Sequence, residues 1–104
     1  GGFNPVKVIE SYDGRVRLLH LKDFRVNGAK YAELSMGGDS LNAIIEFAEV
    51  GEGSLPIAEC IEVGKRCGCE FFFIEQDNTY DRAPLESVKI SHDNLVKMGY
   101  GDWF

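Results

Sequence analysis

The run Glu70-Phe71-Phe72-Phe73-Ile74-Glu75 limits the folds open to this chain more than any other segment. Its four large apolar residues are too few for a helix and do not alternate as a half-solvated strand does. The segment therefore reads as a strand covered on both faces, the pattern of a parallel sheet. Helical signals stand on either side of it. Ser54 is placed to cap a helix with Leu55-Pro56 in its first turn and Ile57, Cys60, Ile61, Val63 and Gly64 on its inner side, ending near Gly68. Pro84 opens another, with Leu85, Val88, His92, Leu95 and Met98 at three- and four-residue spacing and Gly99 closing it. Upstream, Asn4 can cap a helix that begins at Pro5, carries Val6, Val8, Ile9 and Tyr12, and stops at Asp13-Gly14. Residues 15–21 and 44–50 read as strands. Residues 24–42 read as a long polar loop of the lid or binding kind, with a small hairpin over residues 30–34. Helix and strand alternate, which predicts right-handed βα units around three parallel strands in a single unit of residues 1–104.

The charge balance narrows the ligands. Seventeen acidic against eleven basic residues leave a net charge of -6. An acidic surface repels nucleic acid and anionic membranes, so neither is expected as a partner. No apolar run approaches the length that crosses a bilayer, and no secretory leader opens the chain, which reads as a soluble, cytoplasmic protein. Cys60, Cys67 and Cys69 are odd in number and have no His partner at metal spacing, so they are expected to be buried thiols in a reducing compartment.

The chemistry-bearing residues gather where strands break. His20-Leu21-Lys22-Asp23 and Phe73-Ile74-Glu75-Gln76-Asp77 each end a run of β-formers in polar residues, and α/β enzymes keep their chemistry at one rim of the sheet. Residues two apart share a face of a strand, so His20 points with Lys22, and Phe71, Phe73, Glu75 and Asp77 point together. Each residue also has a plainer reading. His20 alone suits a structural histidine, Lys22 and Asp23 suit a local ion pair, and the glycines around Glu52 suit a strand-to-helix turn. His92 reads as a packing residue, and Trp103-Phe104 as an apolar tail that covers an outer surface or makes an oligomer contact.

The runs GRVRLLHLKD at 14–23, VGEG at 50–53, FIEQD at 73–77 and PLESVKIS at 84–91, with Leu95 and Gly99, resemble the C-terminal part of xylose-isomerase-like TIM barrels. That superfamily contains sugar phosphate isomerases and epimerases, inosose dehydratases and, more distantly, endonuclease IV. The resemblance covers the chain outside residues 24–42 and implies an α/β fold, the C-terminal portion of a (βα)8 barrel. It implies a divalent metal (Mn, Mg, Co or Zn) held by His20 and Glu75 together with upstream acidic residues. It implies a small carbohydrate substrate, with Glu75 moving a proton next to a metal-polarised carbonyl, Lys22 neutralising developing charge, and Lys22 and Glu52 in reach of substrate. The expected activity is that of an isomerase or epimerase. A dehydratase-type lyase using the same site and a non-catalytic half-barrel that needs a partner are the alternatives. An opening Gly1-Gly2-Phe3-Asn4-Pro5 that enters a helix at once reads as a chain cut from a longer one. On that reading the isolated chain is inactive, and its open strand edges seek the missing N-terminal barrel portion or a second copy.

Overall fold

A computed structural model describes residues 3–28 and 45–104; the hairpin expected over residues 30–34 lies outside them. The first helix, α1 (Pro5–Ser11), begins as its sequence dictates: the Asn4 side chain accepts the Val6 N–H at 3.0 Å, and Pro5 occupies a position that needs no N–H. There follow β1 (Leu18–Leu21), β2 (Asp23–Val26), β3 (Ile45–Ala48), α2 (Ile57–Arg66), β4 (Phe71–Ile74), α3 (Pro84–Lys97) and a 3-10 turn (Gly101–Trp103). The result is a small mixed α/β domain.

Of the three parallel strands expected, two are parallel. β1 pairs with β4 in the register Leu18↔Phe71 to Leu21↔Ile74, with α2 lying between them in the chain. The third expected strand, at 44–50, is instead the return arm of an antiparallel pair: β3 pairs with β2, Phe24 opposite Phe47. The loop read at 24–42 thus opens with a strand, because Asp23 starts a new extended segment after a one-residue break at Lys22. Hydrophobic pattern locates a strand but does not name its neighbour. α2 begins at Ile57 behind Pro56, with no side-chain cap, so Ser54 does not cap it.

Strand alternation sorts the parallel pair. Leu21 and Phe72 turn toward α2 and α3 and join Val50, Ile57, Ile61, Cys69, Leu95 and Tyr100 in the main core. Leu19 packs on the same side, whereas Phe71 and Phe73 are 53% and 48% exposed, so β4 is covered on one face and not on both as its unbroken apolar run predicts; α2 and α3 pack on one side of the pair alone. A second cluster of Ile9, Cys60, Val63 and Cys67 joins α1 to α2. All three cysteines are buried and free, and burial pushes their thiols up.

The last helix departs from its expected face. Leu85 is 85% exposed and Val88 and Met98 are exposed, while Ser87, Ser91 and Leu95 are buried. Polar partners turn the helix: Ser91 Oγ accepts the Val50 N–H at 2.9 Å, Asn94 Nδ2 donates to the Val50 carbonyl at 2.9 Å, and Ser87 Oγ donates to Glu49 at 2.7 Å. Satisfying buried backbone and carboxylate groups outweighs covering one apolar stripe. The expected apolar tail does form a cover, with the Trp103 ring edge-on to Phe72 at 5.3 Å.

Candidate functional site

Because β1 and β4 run parallel, their C-terminal ends share one rim, and the Glu75 N–H extends the ladder by donating to the Leu21 carbonyl at 3.0 Å. His20 and Glu75 meet there: His20 Nδ1 lies 2.7 Å from Glu75 Oε2. An ionised carboxylate only accepts, so Nδ1 carries the proton, and in the neutral imidazole that leaves the lone pair on Nε2. The other carboxylate oxygen, Glu75 Oε1, lies 3.2 Å from Lys22 Nζ, which also donates to Asp77 Oδ2 at 2.7 Å. His20, Glu75, Lys22 and Asp77 therefore form one connected chain across two strands. Phe73 supports it, its ring 5.9 Å from that of His20.

The electrostatics follow from the contacts. The hydrogen bonds from His20 and then Lys22 hold Glu75 below the usual carboxylate range. Asp77 first, then Glu75, pushes Lys22 upward, so its ammonium stays charged and acts as a donor rather than a base. Two carboxylates against one ammonium give the Lys22, Glu75 and Asp77 groups a net negative charge, which attracts a cation.

The residues fit a divalent metal as part of a shell. Imidazole nitrogen and carboxylate oxygen are the donors that Mn, Co and Zn accept, with Mg favouring the oxygens. His20 Nε2 makes no hydrogen bond among the described residues, and each Glu75 oxygen retains a lone pair beyond its present bond. No group of three or more His, Cys, Asp or Glu side chains suited to a metal occurs among the described residues, so these two would be the described residues' contribution.

The other sequence-named residues lie elsewhere. Glu52 accepts from Asn94 Nδ2 on α3 at 3.0 Å and makes no bond to the His20 cluster. Asp23 does not pair with Lys22. It is 1% exposed and accepts four backbone N–H groups, Phe24 (2.9 Å) and Leu55 (3.1 Å) on Oδ1 and Gly51 and Gly53 (3.1 Å each) on Oδ2. One carboxylate thus shapes the loop between β3 and α2 directly behind the rim. Gly53 answers it, since a Cβ there would overlap Asp23 Oδ1 and the Phe24 carbonyl oxygen. His92 is half-buried on α3, beside Asp93 at 3.6 Å.

Sequence reasoning passed over the contacts of the β4–α3 loop. Besides Asp77, the loop sends Tyr80, at φ 54°, to accept the Phe47 N–H at 3.0 Å, and Arg82 to the buried Glu49 at 2.7 Å. A positive φ at a tyrosine is the structural mark of a loop held by its contacts. The signal in the sequence was Glu49, an acidic residue at the end of an apolar strand that needs a partner. No protein-family profile, curated protein or solved structure matches this chain. No helix among the described residues is long and apolar enough to cross a membrane.

Proposed function

We propose that this chain forms part of a metal-dependent sugar isomerase or epimerase, and that β1, α2, β4 and α3 are neighbouring units of a xylose-isomerase-like barrel. The observation that carries the reading is the 2.7 Å meeting of His20 and Glu75 at one rim of a parallel pair, with Lys22 on the same carboxylate. The connection from β1 to β4 through a helix supports it, since a barrel is built by repeating that unit. On this reading the β2–β3 pair is an insertion at the rim.

His20 Nε2 and Glu75 would hold the metal. Bound there, a divalent cation would act as a Lewis acid on a sugar carbonyl or hydroxyl. His20 is kept in one tautomer by Glu75, so the lone pair offered to the ligand is fixed in direction. Lys22, held charged between Asp77 and Glu75, faces negative charge as it develops on a substrate oxygen and stabilises it. The groups that complete the shell would come from the rest of the barrel or from a second copy of the chain. The open face supports that need for a partner, with Leu18 43%, Phe71 53% and Phe73 48% exposed.

The test is solvent deuterium incorporation into a ketose by the assembly that contains this chain, with Mn²⁺ supplied. Proton transfer next to the carbonyl labels the sugar, and His20→Ala or Glu75→Gln should abolish labelling. Unchanged labelling in both variants would remove the rim as the reacting site.

A further inference from the structure

A second concavity lies beside the rim, and its chemistry differs from that of the His20 cluster. A pocket of about 370 Å³ opens between the β2–β3 pair and the β4–α3 loop. Its walls mix opposite charges with aromatic surface: Arg25 and Arg82, Asp81 and Glu86, Phe47 and Tyr80. Phe47 also touches the rim, since the Lys22 ammonium stands 5.8 Å from its ring centroid. The loop that carries Asp77 to Lys22 continues into the pocket as Tyr80 and Arg82. Rim and pocket are therefore adjoining spaces joined through one ring and one loop.

The lining selects against ions of either sign. An anion would be drawn by Arg25 and Arg82, but Arg82 already pairs with Glu49 at 2.7 Å and Arg25 lies 3.5 Å from Glu46. Asp81 and Glu86 would repel it. A cation finds only Asp81 and Glu86, both exposed, where water and salt screen their charge. A hydroxyl both donates and accepts, so it can use guanidinium N–H groups on one side and carboxylate oxygens on the other. The exposed Tyr80 ring and the Phe47 ring offer an apolar surface to the carbon face of a ring bearing such hydroxyls. A volume of this size falls in the range of small-ligand sites.

We infer that the pocket is a subsite for a neutral polyhydroxylated ring, so that the substrate is a two-ring carbohydrate whose carbonyl-bearing residue sits at His20 and Glu75 while the second ring crosses Phe47 into the pocket. This extends the isomerase reading and rests on it for the placement of the carbonyl end. The pocket itself is argued from its own residues.

The experiment is a pair of ¹H–¹⁵N NMR titrations of the chain, one with D-fructose and one with lactulose, in which a galactose ring is joined to fructose. Lactulose should shift the amides of Arg25, Tyr80 and Arg82 as well as those of His20, Lys22 and Glu75, and should bind about tenfold more tightly than fructose. Fructose should shift the rim set alone. Asp81→Ala combined with Glu86→Ala, two exposed side chains without partners among the described residues, should bring lactulose down to the fructose affinity with fructose binding unchanged. Equal affinities for the two sugars, or pocket amides unmoved by lactulose, would overturn the subsite while leaving the rim reading intact. Lactulose shifts confined to the pocket would support the subsite and contradict the rim reading.

Discussion

Replacing Asp23 by asparagine changes one oxygen for an NH2 group of nearly the same size, so it separates hydrogen bonding from packing. The carboxylate accepts two N–H groups on each oxygen, all at 2.9 to 3.1 Å. A carboxamide keeps one accepting oxygen and turns two donors against two backbone donors. Leaving a buried donor unpaired costs about 1–3 kcal/mol, so two of them cost roughly 2–6 kcal/mol. The Gly51, Gly53 and Leu55 amides are part-buried, and water can reach some of them, which favours the lower half of that range, about 2–4 kcal/mol. That is a large share of the roughly 5–15 kcal/mol that holds a domain together. Urea unfolding followed by far-UV circular dichroism is the assay. With an m-value of roughly 1–2 kcal/mol/M, the midpoint should fall by about 1–4 M with the slope unchanged. Gly53→Ala, which forces a methyl group against the same carboxylate, should show a comparable loss by displacing the loop. A loss below about 1 kcal/mol in Asp23→Asn would refute the argument that this carboxylate organises the loop behind the rim.

Three further outcomes follow from the same contacts. Burial and the hydrogen bond to Glu62 push Tyr100 up to about 12, so spectrophotometric titration should show a tyrosine titrating well above the ordinary value of about 10, and Tyr100→Phe should remove that step. Its proton is held more tightly in the folded state, so this contribution to stability is full below the unfolded value of about 10 and is lost as pH rises toward the folded value. Glu75 titrates in the opposite sense: its folded value is depressed, so its contribution is present above the ordinary glutamate range and is lost as pH falls through the folded value. Carbon-detected NMR of the Glu75 carboxyl should show a midpoint below that range, moving up in His20→Ala and in Lys22→Met. Sedimentation equilibrium at micromolar concentration should show self-association of the isolated chain through its open face, whereas a stable monomer would mean that two short sheets suffice on their own.

Local rules carried far where one segment decides the outcome. The Asn4-Pro5 start, the Phe71–Ile74 strand and the positions of α2 and α3 follow from capping, length and apolar content within a few residues of each element. The meeting of His20 and Glu75 was legible too, because two strands of the same direction bring their ends to one rim. Partnering across the chain was not. Residues 45–48 carry the same apolar content whether they sit beside β1 or beside β2, and only the second pairing occurs. The role of Asp23 depends on amides of residues 51, 53 and 55, about thirty positions away, and no local pattern announces such a convergence. The face of α3 was misread because serines at 87 and 91 look polar in a list of residues, yet they are the groups that Glu49 and the Val50 amide require.

The measurement that bears most directly on the rim is the paramagnetic broadening of His20 and Glu75 side-chain resonances by sub-stoichiometric Mn²⁺. Two protein ligands leave most of the coordination shell to water, whereas catalytic metal sites hold three or more protein groups. Binding should therefore be weak, with broadening centred on His20, Glu75 and their neighbours Lys22 and Asp77, and lost in His20→Ala. Broadening centred on any other group of residues, or a tight one-to-one complex of this chain alone, would contradict the rim reading.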